Sequence, residues 1–315
     1  MGGAVKVPAL VRQLLRLLVG IVILLPFAAA GAGVLMRGFL HPQRRALSPD
    51  LIVQADQEFA RLGAVHENIT VTAPDSIPLR GWKVRPQTSN GDWVLLFHSV
   101  ADNRAGMLPY AGFLLRNGYS VLMMDARGHG ESGGTIATFG WKERYDTHAI
   151  VSALYAQEKV HSLFALGESM GAAIALQSAA VEPRIAGVVA EASFRNLREI
   201  GYDYAGLNAA PWLGETLFRP AVWTALSATR KEGDFSADEV SPEKAVAARA
   251  FPILLICDGA DNRIPCRHSR AIYIAAAGPK QLWEVPGAGH TGAYGAMPAE
   301  FESRVLAFFS SYSSR

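Results

Sequence analysis

"SLFALGESMGAAIALQSAA" (residues 162–180) runs an apolar segment into a glycine, presents a single serine, and continues in small helix-forming residues. This is the order strand, tight turn, helix, in which G-x-S-x-G becomes a nucleophile elbow. Ser169 in that turn takes a strained backbone. Side chains at Gly167 and Gly171 would collide with neighbouring strands. The start of the following helix favours negative charge developing nearby. The competing reading is a tight turn with an idle serine, and the partners of Ser169 decide between them.

The motif occurs twice. "GESGG" (residues 130–134) follows the loop "DARGH" and leads into "TIATFG", which has no clear helical face, so only Ser169 has a strand before it and a helix after it. Gly128, Gly130 and Gly133 also spell G-x-G-x-x-G after "VLMMD". A dinucleotide site needs its helix to open inside that motif, whereas the next helical pattern starts only near Lys142.

Outward from the elbow, strands are expected at 67–73, 79–84, 94–97, 121–125, 163–166, 187–190, 253–257 and 281–285. Several are continuous apolar runs, as when both faces of a sheet are covered. Helical patterns fall at 104–116, 145–159, 170–181, 267–276 and 299–310. The first two strands flank "PDS", a hairpin turn. An antiparallel start followed by repeated strand–helix units predicts an α/β fold with a mostly parallel, doubly wound sheet of eight strands. The segment from 194 to about 250 is longer than a crossover needs, and its "YDYAGLNAAPWLGETLFRPAVW" reads as a cap over the carboxyl edge of the sheet. The expected organisation is residues 1–37 as an anchor, 38–66 as a connector, and 67–315 as the enzyme domain.

The anchor rests on "LLVGIVILLPFAAAGAGVLM" (residues 17–36), uncharged and as long as a bilayer-spanning helix. Lys6, Arg12 and Arg16 precede it; Arg37, Arg44 and Arg45 follow. A single-pass membrane protein is expected, with the side of the catalytic domain undecided by these balanced charges. The alternative is secretion after cleavage near "FAAAGA". The 315 residues carry a net charge of +2 and are 50% hydrophobic, with no basic stripe interleaved with aromatics, so no nucleic acid partner is expected. The two cysteines, Cys257 and Cys266, form no framework or zinc pattern. They bracket Asp261, and plain burial of Cys257 is favoured over a clamp on that loop.

A serine nucleophile needs a base and an orienting acid, in the chain order Ser, Asp or Glu, His. "ILLICDGADNRIP" supplies Asp258 and Asp261 beyond a buried strand, and "LWEVPGAGHTGAY" supplies His290 beyond the last one. The other histidines precede the elbow or lie on helices.

With these residues in place, the chain resembles the α/β-hydrolases, and among them serine hydrolases related to prolyl-oligopeptidase and serine-aminopeptidase domains. The resemblance covers 67–309 and rests on "LLFHSVADNR", "LMMDARGHGESGG", "LGESMGA", "LICDGADNRIP" and "VPGAGHT" in that order. It implies Asp261 as the triad acid, Asp125–Ser132 as a structural loop, and an oxyanion hole from the N–H groups of Val100 and Met170. Two departures stand out. Ser99 occupies a place where glycine is usual, and Glu191, ending "VVAE", is an alternative acid. The expected activity is hydrolysis of an ester or thioester, carboxylesterase, lipase or acyl-thioesterase in type, with Ser169, His290 and Asp261 catalytic and no metal or cofactor. A small acyl ester, a lipid or an acylated protein is the expected substrate. The alternatives are a peptidase of the same fold and a non-catalytic binding module.

Overall fold

The computed structural model describes residues 8–206 and 210–314; Lys6 and three residues of the expected cap lie outside them. The first helix, α1 (Ala9–Leu40), begins before the apolar run and contains Arg12, Arg16 and Arg37. Helix α2 (Pro49–Arg61) is capped by the Ser48 hydroxyl and leads into β1 (Val65–Thr72) and β2 (Pro78–Arg85). Then come β3 (Trp93–Phe97), α3 (Leu108–Arg116), β4 (Ser120–Met124), α4 (Glu143–Gln157), β5 (Leu163–Glu168), α5 (Met170–Val181) and β6 (Ile185–Glu191). Four helices follow before the sheet resumes: α6 (Leu197–Ala205), α7 (Pro211–Glu215), α8 (Arg219–Glu232) and α9 (Pro242–Ala248). The chain closes with β7 (Ile253–Asp258), α10 (Arg267–Ala275), β8 (Lys280–Val285), α11 (Ala293–Ala296) and α12 (Pro298–Tyr312).

The eight strands form one sheet in the order β1-β2-β4-β3-β5-β6-β7-β8. The β1–β2 and β2–β4 pairs are antiparallel and the other five are parallel. The apolar strands have the physical reason expected of them. Along β5, Phe164 and Leu166 face one core cluster while Leu163 and Ala165 face the other. Phe164 stacks on Phe309 of α12 at 4.5 Å on the first side. Helix α5 is buried on every side from Met170 to Ala179, which only its small residues permit. The expected helix at 104–116 is split: a single tighter turn, Arg104–Met107, precedes α3.

Residues between β6 and β7 build a third cluster over the carboxyl edge, with Phe194, Leu197, Ile200, Val222 and Phe235 packed on Met170 of the elbow. Leu40, the last residue of α1, is buried in that same cluster. Helix α1 packs beside α8, and both Arg37 and His41 reach Glu232, at 3.6 and 2.9 Å. This corrects the expected transmembrane anchor. Among the described residues no helix is long and apolar enough to cross a membrane, so a span over 17–36 is not supported. Arginines lie within α1, and its carboxyl end is held by the cap. Beyond it, Arg44 donates to the carbonyls of Gly130, Ser132 and Gly134 at 3.1, 2.6 and 2.7 Å, tying the connector to the first glycine-rich loop.

Candidate active site

The elbow forms because two close approaches forbid side chains. A Cβ on Gly167 would stand 2.4 Å from the carbonyl oxygen of Gly171, and one on Gly171 would stand 2.1 Å from that of Phe97 in β3. Between them Ser169 has φ 53° and ψ −116°. Its N–H donates to the Glu191 carbonyl at 2.9 Å, which holds the turn against β6. Ala101, Ala192 and Thr291 also have positive φ, at 58°, 53° and 55°. These strained positions lie in the loops after β3, β6 and β8, at the same edge as Ser169.

Two loops converge on the serine. His290 follows β8, and its Nε2 lies 3.0 Å from the Ser169 hydroxyl. Its Nδ1 lies 2.7 Å from Asp261 Oδ2, in the loop after β7. Asp261 accepts but cannot donate as a carboxylate, so Nδ1 carries the proton and Nε2 is left to accept from Ser169. The other oxygen of Asp261 accepts from the N–H groups of Arg263 and Ile264 at 2.7 and 2.9 Å, which fixes the carboxylate in plane.

The two other candidate acids are used differently. Asp258 Oδ2 accepts from Thr291 N–H at 2.9 Å and so holds the histidine loop. Burial, then the neighbouring Asp261 charge, pushes its carboxyl up to about 6. Glu191 does not touch His290. It accepts from Ala293 N–H at 3.0 Å and meets the Tyr110 hydroxyl at 3.2 Å. It thereby holds the helix that follows the histidine loop.

Ser99 resolves the first departure from the usual pattern. Its hydroxyl points under the elbow and donates to Glu168 Oε1 at 2.7 Å. Val100, Ser169 and Met170 then share the wall of one cavity. Met170 opens α5, so its N–H has no carbonyl within the helix. The second G-x-S-x-G serine, Ser132, is fully buried, donating to Asp125 O at 2.7 Å and accepting from Arg80 N–H at 2.8 Å. It is structural.

The cavity measures about 140 Å³ and is apolar apart from Ser169 and the Tyr204 hydroxyl. Phe194, Ile200, Gly201, Tyr204 and Val222 line it from the cap, and Phe139 lines it from the segment before α4. The cap's tryptophans do not; Trp212 and Trp223 are 63% and 72% exposed on its outside.

Cys257 and Cys266 are joined by a disulfide with a Cα separation of 5.3 Å, which corrects the expectation of a plain buried thiol. The reason is tertiary: the Asp261 loop returns the chain to the start of α10, beside the end of β7. Among the described residues the one metal-like grouping adds only Glu284 to these two bonded cysteines, which leaves no thiolate to ligate.

A family model described as "Serine aminopeptidase, S33" matches residues 89–238. Protein Rv2307c of Mycobacterium tuberculosis is 30% identical over 243 residues, covering 76% of this chain and 75% of its own. The chain belongs to the α/β-hydrolases, with a serine-aminopeptidase-like domain. Protein YqkD of Bacillus subtilis is 28% identical over 221 residues, 69% of this chain and 70% of its own. Among solved structures, the Pyrococcus furiosus esterase Pf2001 superposes on this hydrolase with a TM-score of 0.66 at 25% identity, over 81% of this chain and 96% of that one. The Pyrococcus horikoshii acylaminoacyl peptidase matches with 0.60 at 13% identity, over 80% and 42%, a likeness of fold alone.

Proposed function

We propose that this hydrolase cleaves an ester or thioester of an apolar acyl group through an acyl-enzyme on Ser169. The observation that carries the reading is the Ser169–His290–Asp261 relay opening onto the apolar cavity. Ser169 Oγ attacks the acyl carbonyl while its proton passes to His290 Nε2. Asp261 stabilises the imidazolium and keeps Nδ1 protonated. The oxyanion is received by the N–H groups of Val100 and Met170. The tetrahedral carbon then expels the alkoxide or thiolate, which takes the proton back from His290, and water repeats the sequence to free the acid.

A peptidase is the second reading, supported by the family model's description and by the acylaminoacyl peptidase likeness. Against it, among the described residues no acidic side chain lines the cavity to hold a substrate amine. A matched panel of p-nitrophenyl esters, acyl thioesters and aminoacyl amides, with fluorophosphonate labelling, tests both. Labelling at Ser169 with ester or thioester turnover is expected; amide turnover alone selects the peptidase, and an unlabelled protein removes the enzyme.

Contact with a membrane is a separate part of the proposal, now as surface attachment through α1. It is supported by the exposed Leu14, Leu18, Val22, Ile23 and Phe27 on that helix. Vesicle flotation of the full chain against one beginning at Arg37 tests it. Equal flotation of the two would remove α1 from the account.

A further inference from the structure

Beneath the catalytic edge, three buried acids and a tyrosine occupy one continuous pocket of side chains. The Tyr110 hydroxyl, on α3, stands 3.0 Å from Glu168 Oε2 and 3.2 Å from Glu191 Oε2. The remaining oxygen of each carboxyl is already taken. Glu168 Oε1 accepts from the Ser99 hydroxyl, and Glu191 Oε1 accepts from Ala293 N–H. A phenol carries one proton and can donate it once. Hydrogen bonds between one hydroxyl and two carboxyls are both met in full when one carboxyl carries a proton of its own. Both ionised would leave two negative oxygens sharing a single hydrogen among buried side chains.

Given the serine-hydrolase reading, we infer that Glu191 is held neutral and that Glu191–Tyr110–Glu168–Ser99 is a one-proton chain positioning the oxyanion loop. Glu191 Oε2–H donates to the Tyr110 oxygen, Tyr110 O–H donates to Glu168, and ionised Glu168 accepts from Ser99. The assignment follows from what each acid faces. Glu168 receives two O–H donors, while Glu191 is 1% exposed, receives one N–H, and faces the carboxyl of Asp258 from β7. His98 and Asp102, from the loop after β3, are the other titratable groups facing Glu168, whose carboxyl burial also raises, though less than that of Glu191. Burial and the Asp258 charge hold the Glu191 carboxyl well above the usual range, and burial also raises Tyr110, so the tyrosine keeps its proton.

The chain joins four parts of the site. Ser99 immediately precedes Val100, Glu168 immediately precedes Ser169, Glu191 ends β6, and Ala293 lies three residues past His290. Removing the Glu191 proton leaves Tyr110 between two carboxylates, and the strain falls on the loop that carries Val100. Ser99, Tyr110, Glu168 and Glu191 are thus positioning residues. They act through the oxyanion donors and touch no reacting atom.

The test is the rate at which a fluorophosphonate labels Ser169 in the full chain, followed from neutral to alkaline pH. The probe's phosphoryl oxygen uses the oxyanion donors, and no knowledge of the natural substrate is needed. Wild type should label fast at neutral pH and lose rate reversibly on the alkaline side while still folded. Glu191→Gln mimics the neutral acid, its amide N–H donating to Tyr110, and should keep the neutral rate but lose the alkaline fall. Ser99→Ala should label about tenfold more slowly at neutral pH, in line with the sensitivity of rate to small misplacements, with an unchanged melting temperature. If Glu191→Gln fails to fold, Tyr110→Phe takes its place and should combine a slow neutral rate with no alkaline fall. An alkaline fall that persists in the variant, or is missing in wild type, overturns the chain while leaving the hydrolase intact. A wild type that never labels overturns the hydrolase reading itself.

Discussion

Gly171 of the elbow lies so close to Phe97 at the end of β3 that a Cβ on it would stand 2.1 Å from the Phe97 carbonyl oxygen. That approach sets the start of α5 directly against the loop of Ser99 and Val100. Ser169, the helix amino terminus and the Val100 loop are therefore brought together by a missing side chain. His290 and Asp261 reach the same point from two other loops of the sheet's carboxyl edge, where sites in open α/β folds are built.

Ser169→Ala should fold normally and lose nearly all turnover, on the order of a millionfold, because no acyl-enzyme can form. Asp261→Asn should lose about ten-thousandfold through the wrong histidine tautomer, with little change in melting temperature. Single-turnover kinetics and thermal melts of both variants check this. A loss of that size in Glu191→Gln instead would move the orienting role away from Asp261.

Gly201, in α6, faces the cavity. A Cβ there would stand 3.4 Å from Val222 Cγ1, an ordinary contact, and the remaining neighbour is Leu226 at 3.8 Å. Gly201→Ala should therefore fold at least as well as wild type, since glycine costs a helix interior about 1 kcal/mol relative to alanine. The added methyl should shorten the accepted acyl group. The ratio of kcat/KM for butyrate over octanoate esters should rise at least about tenfold, the effect of a methylene or two in a tight pocket. An unchanged ratio would place the acyl group elsewhere.

The Cys257–Cys266 bond closes a short loop around Asp261. Titration of the denatured, unreduced protein should find no free thiol. Replacing both cysteines by alanine should lower stability by roughly 2–3 kcal/mol, the scale for a short cross-linked loop, and should slow turnover by loosening the acid. Two titratable thiols in freshly purified protein would refute the bond.

Asp258 is neutral longer than a free carboxyl, its value raised from 3.8 to about 6 by burial and by Asp261. Between these two values the folded state holds a proton that the unfolded chain has released. Stability from this group is thus present below about 3.8 and lost as pH rises through about 6. Asp258→Asn, which keeps an acceptor for Thr291 N–H, should flatten the melting temperature across that window. A profile identical to wild type would show that Asp258 is already ionised there.

The strand and helix order, the tight turn at Ser169 between a strand and a helix, and the two loops carrying Asp261 and His290 were all legible in the sequence. Strand cores declare themselves by continuous apolar runs, and an elbow declares itself by glycines whose spacing is a local steric demand. Local signals reach no further than a turn or an element. Whether Asp261 or Glu191 meets His290 depends on how loops after β6 and β7 turn over the sheet edge, and their sequences present equally plausible acids. The pairing of Cys257 with Cys266 required the acid loop to bring α10 back beside β7. The fate of the apolar amino terminus was likewise tertiary, since its last residue, Leu40, is buried in the cap cluster and Arg37 and His41 pair with Glu232. Tyr110, Glu168 and Ser99 come from three segments with no shared periodicity. Only the folded sheet places one phenol between two carboxyls, where a single proton has to be shared.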